Sequence, residues 1–413
     1  MPECYQVEES SLTLLQNGGE YFPALCADID GAKLSVHLET YIFSADKSGF
    51  VVMAALQRAA LRGVTVRVLM DGFGSSDFPV EKMDEMRRER VEVYFFRPER
   101  YRFKLRRHRL RRLHRKLVVI DHDVVYIGGI NIIDDKTHNG DFAAPRLDFA
   151  VRVQGPVAGE IYADMHRLWC AVLRTKSLKN RIKYACLFQV KPIPSAKIKV
   201  LLRDNFRHRR DIERAYLEEI KAAQREVIIA NAYFLPGARF RYALIQAAKR
   251  GVRVVLLLQG RVEQRLLHYA THALYEKLLA GGVEIYEYQA SFLHAKVAVI
   301  DGKWATVGSS NIDPFSLLLA REANLVVKDV DFALDLREKI FSAIDHEARQ
   351  IKSVHWHWRA RFLASLSYAV IRITVGLLGY GKSEKFWILS RLKRSVFKTN
   401  GSRRVTGARN IRR

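Results

Sequence analysis
Two stretches, LHRKLVVIDHDVVYIGGIN (113–131) and LHAKVAVIDGKWATVGSSN (293–311), carry the same residue types in the same order, from His114, Lys116, Asp121, Gly128 and Asn131 to His294, Lys296, Asp301, Gly308 and Asn311. A neutral imidazole is a nucleophile and passes protons near neutral pH, so two of them suffice for a two-step exchange at an electrophilic centre. A lysine two residues from each histidine adds fixed positive charge, as an anionic ligand would require. Taken singly these residues have plain readings: Asp301 as a turn former, Gly128 as a turn residue, His114 as a surface histidine in a basic loop. The repetition argues otherwise. Core packing explains recurrent apolar positions between duplicated halves, but not His, Lys, Asp and Asn at matching offsets.

The elements that must position these groups are legible around them. Residues two apart on a strand share a face, which puts His114 with Lys116 and His294 with Lys296. Asp121 and Asp301 close the strands, and Gly302 follows the second as a hairpin-turn signature. The GGIN and GSSN runs, with Gly128, Gly129, Gly308 and Ser309, offer small residues where backbone could approach a ligand closely. Asn131 and Asn311 are expected at helix starts, where anions are favoured.

Upstream, each half reads strand, helix, strand: AKLSVHLETYIF then GFVVMAALQRAALRGVTVRVLMD, and REVIIANAYFLPG then RFRYALIQAAKRGVRVVLLLQG. Gly63 and Gly251 stand where a helix-terminating glycine belongs. Further helices are expected ahead of these strands, in EYFPALCADIDGA and RRDIERAYLEEIKAAQ. The two prolines of LFQVKPIPSAK mark a linker at 188–197, giving lobes at 1–187 and 198–347 and a tail at 348–413. In the tail, an apolar stretch from Phe362 to Tyr380 contains Arg372, which would be costly at a bilayer centre. A segment lying on the membrane surface, with Trp356 and Trp358 at headgroup level, costs less. The other reading is a helix packed on the body.

The chain has 413 residues, 49% of them hydrophobic, enough for two folded domains. Lys and Arg number 69 against 44 acidic residues, and a net charge of +25 calls for a negative partner, nucleic acid or anionic lipid. Cys4, Cys26, Cys170 and Cys186 show neither zinc spacing nor a disulfide framework, so a reducing compartment is expected. MPECYQVEES has no basic start and no early apolar run, so no cleavable signal is expected.

The double HxKxxxxD pattern resembles the signature of the phospholipase D superfamily. The wider text, including RDNFRHRRDIERAYL and WATVGSSNIDPFSLLLAREANLVV, is similar to the bacterial cardiolipin synthases, in particular their B-type branch, over most of residues 8–345. The resemblance implies a mixed α/β fold of two lobes, each a mixed sheet flanked by helices, related by a pseudo-twofold axis at which the motifs meet. It implies catalysis by His114, Lys116, Asp121, His294, Lys296 and Asp301, with one histidine forming a phosphatidyl-histidine and the other moving protons. His114 is favoured as nucleophile by analogy, and the lysines would hold the phosphoryl oxygens. Asp148 and Glu322 stand where the family places an acid that orients an imidazole; the alternative is a surface salt bridge.

The implied reaction passes a phosphatidyl group from one phosphatidylglycerol to another, giving cardiolipin and glycerol, with no metal or other cofactor. Alternatives are hydrolysis, another alcohol acceptor or a phosphatidylethanolamine donor, and a nuclease. The apolar tail argues against nucleic acid. The basic run 97–116, with Arg106, Arg107, Arg109, Arg111 and Arg112, is read as a funnel for anionic headgroups. An anionic phospholipid membrane is the expected partner, at the cytoplasmic side of a bacterial inner membrane.

Overall fold
The computed structural model describes residues 2–98, 111–135, 144–174, 195–204, 208–314, 316, 320–353 and 358–375. Arg106, Arg107 and Arg109, Cys186, Trp356, most of the linker and the chain after Val375 lie outside the described residues, as do the side chains of Trp358 and Phe362.

Two eight-stranded mixed sheets form the body. The first contains β1 (Cys4–Val7), β2 (Ser10–Gln16), β3 (Ser35–Thr40), β4 (Thr65–Asp71), β5 (Glu92–Phe96), β6 (Lys116–Ile120), β7 (Val124–Gly128) and β8 (Phe149–Gln154), in the order β1-β2-β8-β7-β6-β3-β4-β5. The second contains β9 (Ile198–Arg203), β10 (Glu226–Asn231), β11 (Arg253–Gln259), β12 (Glu284–Tyr288), β13 (Lys296–Ile300), β14 (Trp304–Gly308), β15 (Glu322–Val327) and β16 (Ala348–Ile351), in the order β16-β12-β11-β10-β13-β14-β15-β9. Leaving out β1 and β16, the two orders superimpose strand for strand. Within each, three strands run parallel (β3-β4-β5 and β10-β11-β12) and the motif hairpin pairs antiparallel beside them.

Local chemistry makes these elements. Helix α1 (Asn17–Gly31) precedes β3, and α2 (Lys47–Leu61) links β3 to β4, with Asp46 capping it by accepting from Gly49 N–H. Gly63 stops α2 at φ +93°, and Gly251 stops the matching helix Ala238–Lys249 at φ +90°, a left-handed conformation that suits glycine. The central strands are buried on both faces, which is why they read as continuous apolar runs. One core cluster joins Val119, Ile127 and Val151 of the first sheet to Val297, Val307 and Leu325 of the second, with Phe332, Leu336 and Ile340 of helix Val330–Glu347 packed into it. The lobes therefore share a core, and each motif hairpin packs against the other lobe.

Two features differ from the sequence reading. The tail does not leave the body at residue 348: β16 adds to the second sheet by pairing antiparallel with β12, satisfying an edge that would otherwise be open. The helix Trp358–Val375 then lies on the second lobe, burying Ala364, Ser367 and Ile371, and no helix among the described residues is long and apolar enough to cross a membrane. Cys4 and Cys26 are free, but Cys170 is disulfide-bonded, contrary to the expectation of none. Spacing alone carried no pairing signal.

Candidate active site
His114 and His294 sit just before β6 and β13, in short segments that pair with the opposite lobe. His114 N–H donates to the carbonyl of Arg321 at 3.0 Å, and His294 N–H to the carbonyl of Leu147 at 2.8 Å. Leu113 bridges to Arg321 and Leu147 to Leu293. Each histidine is thus stitched to the residue preceding the other lobe's acid, Asp148 or Glu322.

The acids complete the crossing. Nδ1 of His114 lies 2.9 and 3.0 Å from the two carboxylate oxygens of Glu322, and Nδ1 of His294 lies 2.5 Å from Asp148. Asp148 and Glu322 occupy equivalent places ahead of β8 and at the start of β15, since Gly128 pairs with Ala150 and Gly308 with Asn324. With Nδ1 committed to a carboxylate, the reactive nitrogen of each ring is Nε2. Neither acid is a surface ion-pair partner: Glu322 is wholly buried and Asp148 nearly so.

Lys116 and Lys296 are also buried, and each Nζ donates to the backbone carbonyl of the histidine two residues before it, Lys116 at 2.6 Å. Burial, with the neighbouring Lys296, pushes Lys116 down to about 7; burial pushes Lys296 down to about 8. Burial also lowers His114, and it holds His294 well below the ordinary histidine value, aided by Lys296, Lys116 and Arg146. Burial raises Asp148 to about 7. The ligand-free site thus favours neutral imidazoles, the form needed for attack, and an arriving phosphodiester anion would restore charge on the lysines.

Asp121 and Asp301 are not brought to the histidines. They stand at the far ends of β6 and β13, at φ +51° and +54°, and accept from main-chain N–H groups: Lys33, Leu34 and Ser35 at 2.7–2.8 Å for Asp121, and Gln224, Arg225 and Glu226 at 2.8–3.2 Å for Asp301. Each carboxylate ties the hairpin turn to the entry of β3 or β10. Five residues of strand at about 3.3 Å each separate such a group from the lysine end. This corrects their expected catalytic placement.

Asn131 and Asn311 are not at helix starts either. Their loops zip onto the chain leaving β3 and β10, through the bridges Phe43–Ile132 and Phe234–Ile312, and their side-chain oxygens accept from Ile42 N–H at 3.2 Å and Tyr233 N–H at 3.4 Å. The small residues make room for protein and not for ligand. A Cβ on Gly128 would lie 2.5 Å from the Ala150 backbone, one on Gly129 2.2 Å from Asp148, and one on Gly308 2.3 Å from Asn324. Ser309, the counterpart of Gly129, instead donates its hydroxyl to Glu322 at 2.5 Å.

Several contributors escaped sequence reasoning. Asp71 and Gln259, which end β4 and β11, accept at 2.7 and 3.0 Å from the N–H of Leu113 and Leu293 and so fix the residue before each histidine. Their sequence sign, a polar residue closing an apolar strand in both halves, was available. Tyr41 places its ring 4.8 Å from His114. Arg115, between His114 and Lys116, is buried against Glu39 and Asp164 and locks the first motif to β3 and to the helix Val157–Arg174; Ala295 has no such anchor. Of the candidate headgroup residues, Arg112 stacks over Phe73 at 4.2 Å, and Arg111 accepts at its carbonyl from Arg97.

Comparison with known proteins agrees with this architecture. The family described as "Cardiolipin synthase, PLD-like domain" matches residues 25–169 and 216–344. Cardiolipin synthase B of Shigella flexneri is 39% identical over 360 residues, covering 84% of each chain, and that of Escherichia coli strain K12 gives the same figures. Among solved structures, a phosphatidylserine synthase from Haemophilus influenzae Rd KW20 shares the fold with a TM-score of 0.68 at 15% identity, covering 92% of this chain and 96% of that one.

Proposed function
The chain belongs to the cardiolipin synthase family of phospholipase D-like proteins, and on that premise we propose that it transfers a phosphatidyl group between two phosphatidylglycerol molecules, releasing glycerol and forming cardiolipin. The observation that carries the mechanism is the crossed pair of histidine–carboxylate contacts, which leaves an Nε2 from each lobe for chemistry.

In the first step Nε2 of His114 attacks phosphorus and the P–O bond to glycerol breaks, while His294, neutral in the ligand-free site and protonated once the bound phosphodiester anion adds negative charge beside it, gives that proton to the departing alkoxide. The product is a phosphatidyl-histidine with a P–N bond. In the second step the now neutral His294 takes the proton of a second phosphatidylglycerol hydroxyl, whose oxygen attacks phosphorus as the P–N bond breaks. One phosphodiester replaces another, so the exchange needs no nucleotide. Lys116 and Lys296 stabilise the phosphoryl oxygens as charge gathers on them, and the carboxylates hold each imidazole in one tautomer.

The substrates are phospholipids, and we place the enzyme at a bacterial inner membrane. The disulfide at Cys170 removes the cysteine argument for a reducing face, so the proposal is of the membrane and not of its side. The test is mass spectrometry of products from purified protein given phosphatidylglycerol alone. Cardiolipin and glycerol are expected as main products, and added glycerol should drive the exchange backwards. Phosphatidate as the dominant product would make the protein a hydrolase, and indifference to lipid with cleavage of DNA would make it a nuclease.

A further inference from the structure
Helix Trp358–Val375 has two apolar stripes. Ala364, Ser367 and Ile371 face inward, and Tyr368 packs with them onto the core of the second lobe. Leu363, Leu366, Val370 and Ile373, at helical spacing on the other side, are 47%, 47%, 42% and 61% exposed. The neighbour along this helix is Arg265–His272, which exposes Leu266 at 47%, and the segment leading into it exposes Val262 at 51%. Exposed apolar residues gathered in this way on two helices packed side by side are uncommon on a soluble surface and mark a contact.

The face borders the site. Val262 adjoins Glu263, which accepts from Tyr233 at 2.5 Å and pairs with Arg146 at 3.4 Å; Arg146 is two residues from Asp148, the partner of His294. On the first lobe the corresponding loop, after β4, exposes Phe73 under Arg112.

We propose that this two-helix face is the surface by which the protein enters the headgroup region of an anionic bilayer, holding the mouth of the site at the lipid. The proposal rests on the lipid-transfer reading above. Charge selects the occupant. The sequence following Val375 contains eleven Lys and Arg against one Glu, so a second copy docked here would bring two strongly basic segments together, whereas anionic headgroups complement both. The packed stripe gives the rest: the helix is fixed to the second lobe, so its outer stripe is presented at a set orientation to the site and does not act as a free tether.

The experiment is flotation of the 413-residue chain with vesicles of phosphatidylglycerol and phosphatidylcholine, comparing the wild type, L266E/L366E, and the control L34E/L61E, whose positions are exposed elsewhere. Removing two large apolar contacts should weaken vesicle binding about ten-fold or more, and lower turnover on vesicles to match, while turnover on dispersed short-chain phosphatidylglycerol and the control stay near wild type. A milder pair, L266S/L366S, serves if the first does not fold. Unchanged vesicle binding overturns the proposal, and so does unchanged binding together with loss of a dimer in sedimentation velocity, which would assign the face to a second copy. The two readings fail separately. A wild type that transfers nothing to any lipid, with variants that still lose vesicle binding, sinks the transfer reading and leaves the face standing.

Discussion
His114 and Glu322 are 208 residues apart in the chain and 2.9 Å apart in space, and each belongs to a different lobe. The reciprocal contact, His294 with Asp148, spans 146 residues. Neither lobe therefore contains a complete histidine–acid pair of its own, and the shared core that fixes the two sheets also fixes the tautomer of both imidazoles.

Neutralising either acid tests that arrangement. Glu322→Gln should lower kcat by about 10²–10⁴ through His114, and Asp148→Asn should do so through His294, with circular dichroism and KM little changed. Rescue of Glu322→Gln activity by raising pH, or activity near wild type, would show that the acid does not orient the ring.

The two histidines are expected to differ in what they leave behind. Acid-quenched His294→Ala should retain lipid covalently attached to protein, because attack by His114 continues slowly without the proton of His294 while release, which needs a base to activate the acceptor hydroxyl, stalls further; His114→Ala should carry none. The opposite labelling, read by intact-protein mass spectrometry, would exchange the roles.

Gly129→Ala places a methyl group 2.2 Å from Asp148 Oδ1, which must move the carboxylate and with it His294. A displacement of this order should reduce kcat about 10²-fold. Ser309→Ala, which removes the hydroxyl bound to Glu322, should be milder, because the glutamate keeps its contact with His114. A Gly129→Ala enzyme with normal turnover would mean that the Asp148 position is not critical.

The buried lysines set a pH dependence. Their values of about 7 and about 8 lie below the ordinary 10.5, so the folded protein gives up these protons earlier than the unfolded chain does. Between about pH 7 and 10 the unfolded chain binds more protons, and these groups make the ligand-free fold more stable as pH rises. An anion reverses the preference. Sulfate, whose charge is constant here, should bind at least about ten-fold more weakly at pH 9 than at pH 6.5 by calorimetry; equal or tighter binding at pH 9 would refute charged lysines as the anion site.

Asp121→Ala should act on stability. It removes the acceptor of three main-chain N–H groups and should cost about 1–3 kcal/mol of unfolding free energy, seen in denaturant midpoints, with kcat on folded protein largely kept. Burial opposes ionisation of Asp121, but those backbone donors outweigh it and hold its pKa below the usual carboxylate range. Its contribution is present above the unfolded value and is lost as pH falls through the lowered one. A large loss of kcat with unchanged stability would return Asp121 to the reaction.

Much of this is legible in the sequence. The repeated strand, helix, strand order, the hairpins, the terminating Gly63 and Gly251 and the His–Lys pairs are all encoded within a few residues, where periodicity and turn chemistry operate. The aspartates of the repeated pattern misled for the same reason: recurrence shows that a residue is needed but not for what, and a carboxylate that ties a turn to the next strand recurs as faithfully as one that reacts.

What the sequence determined alone was the identity of the reactive groups and the local element carrying each one. The tertiary structure decided how they combine: the crossing of His114 to Glu322 and His294 to Asp148, the use of Asn131 and Asn311 as loop acceptors, and the docking of helix Trp358–Val375 with one stripe in and one out. Those choices depend on how two sheets meet across a common core, a relation between segments 146 and 208 residues apart that no local spacing can express.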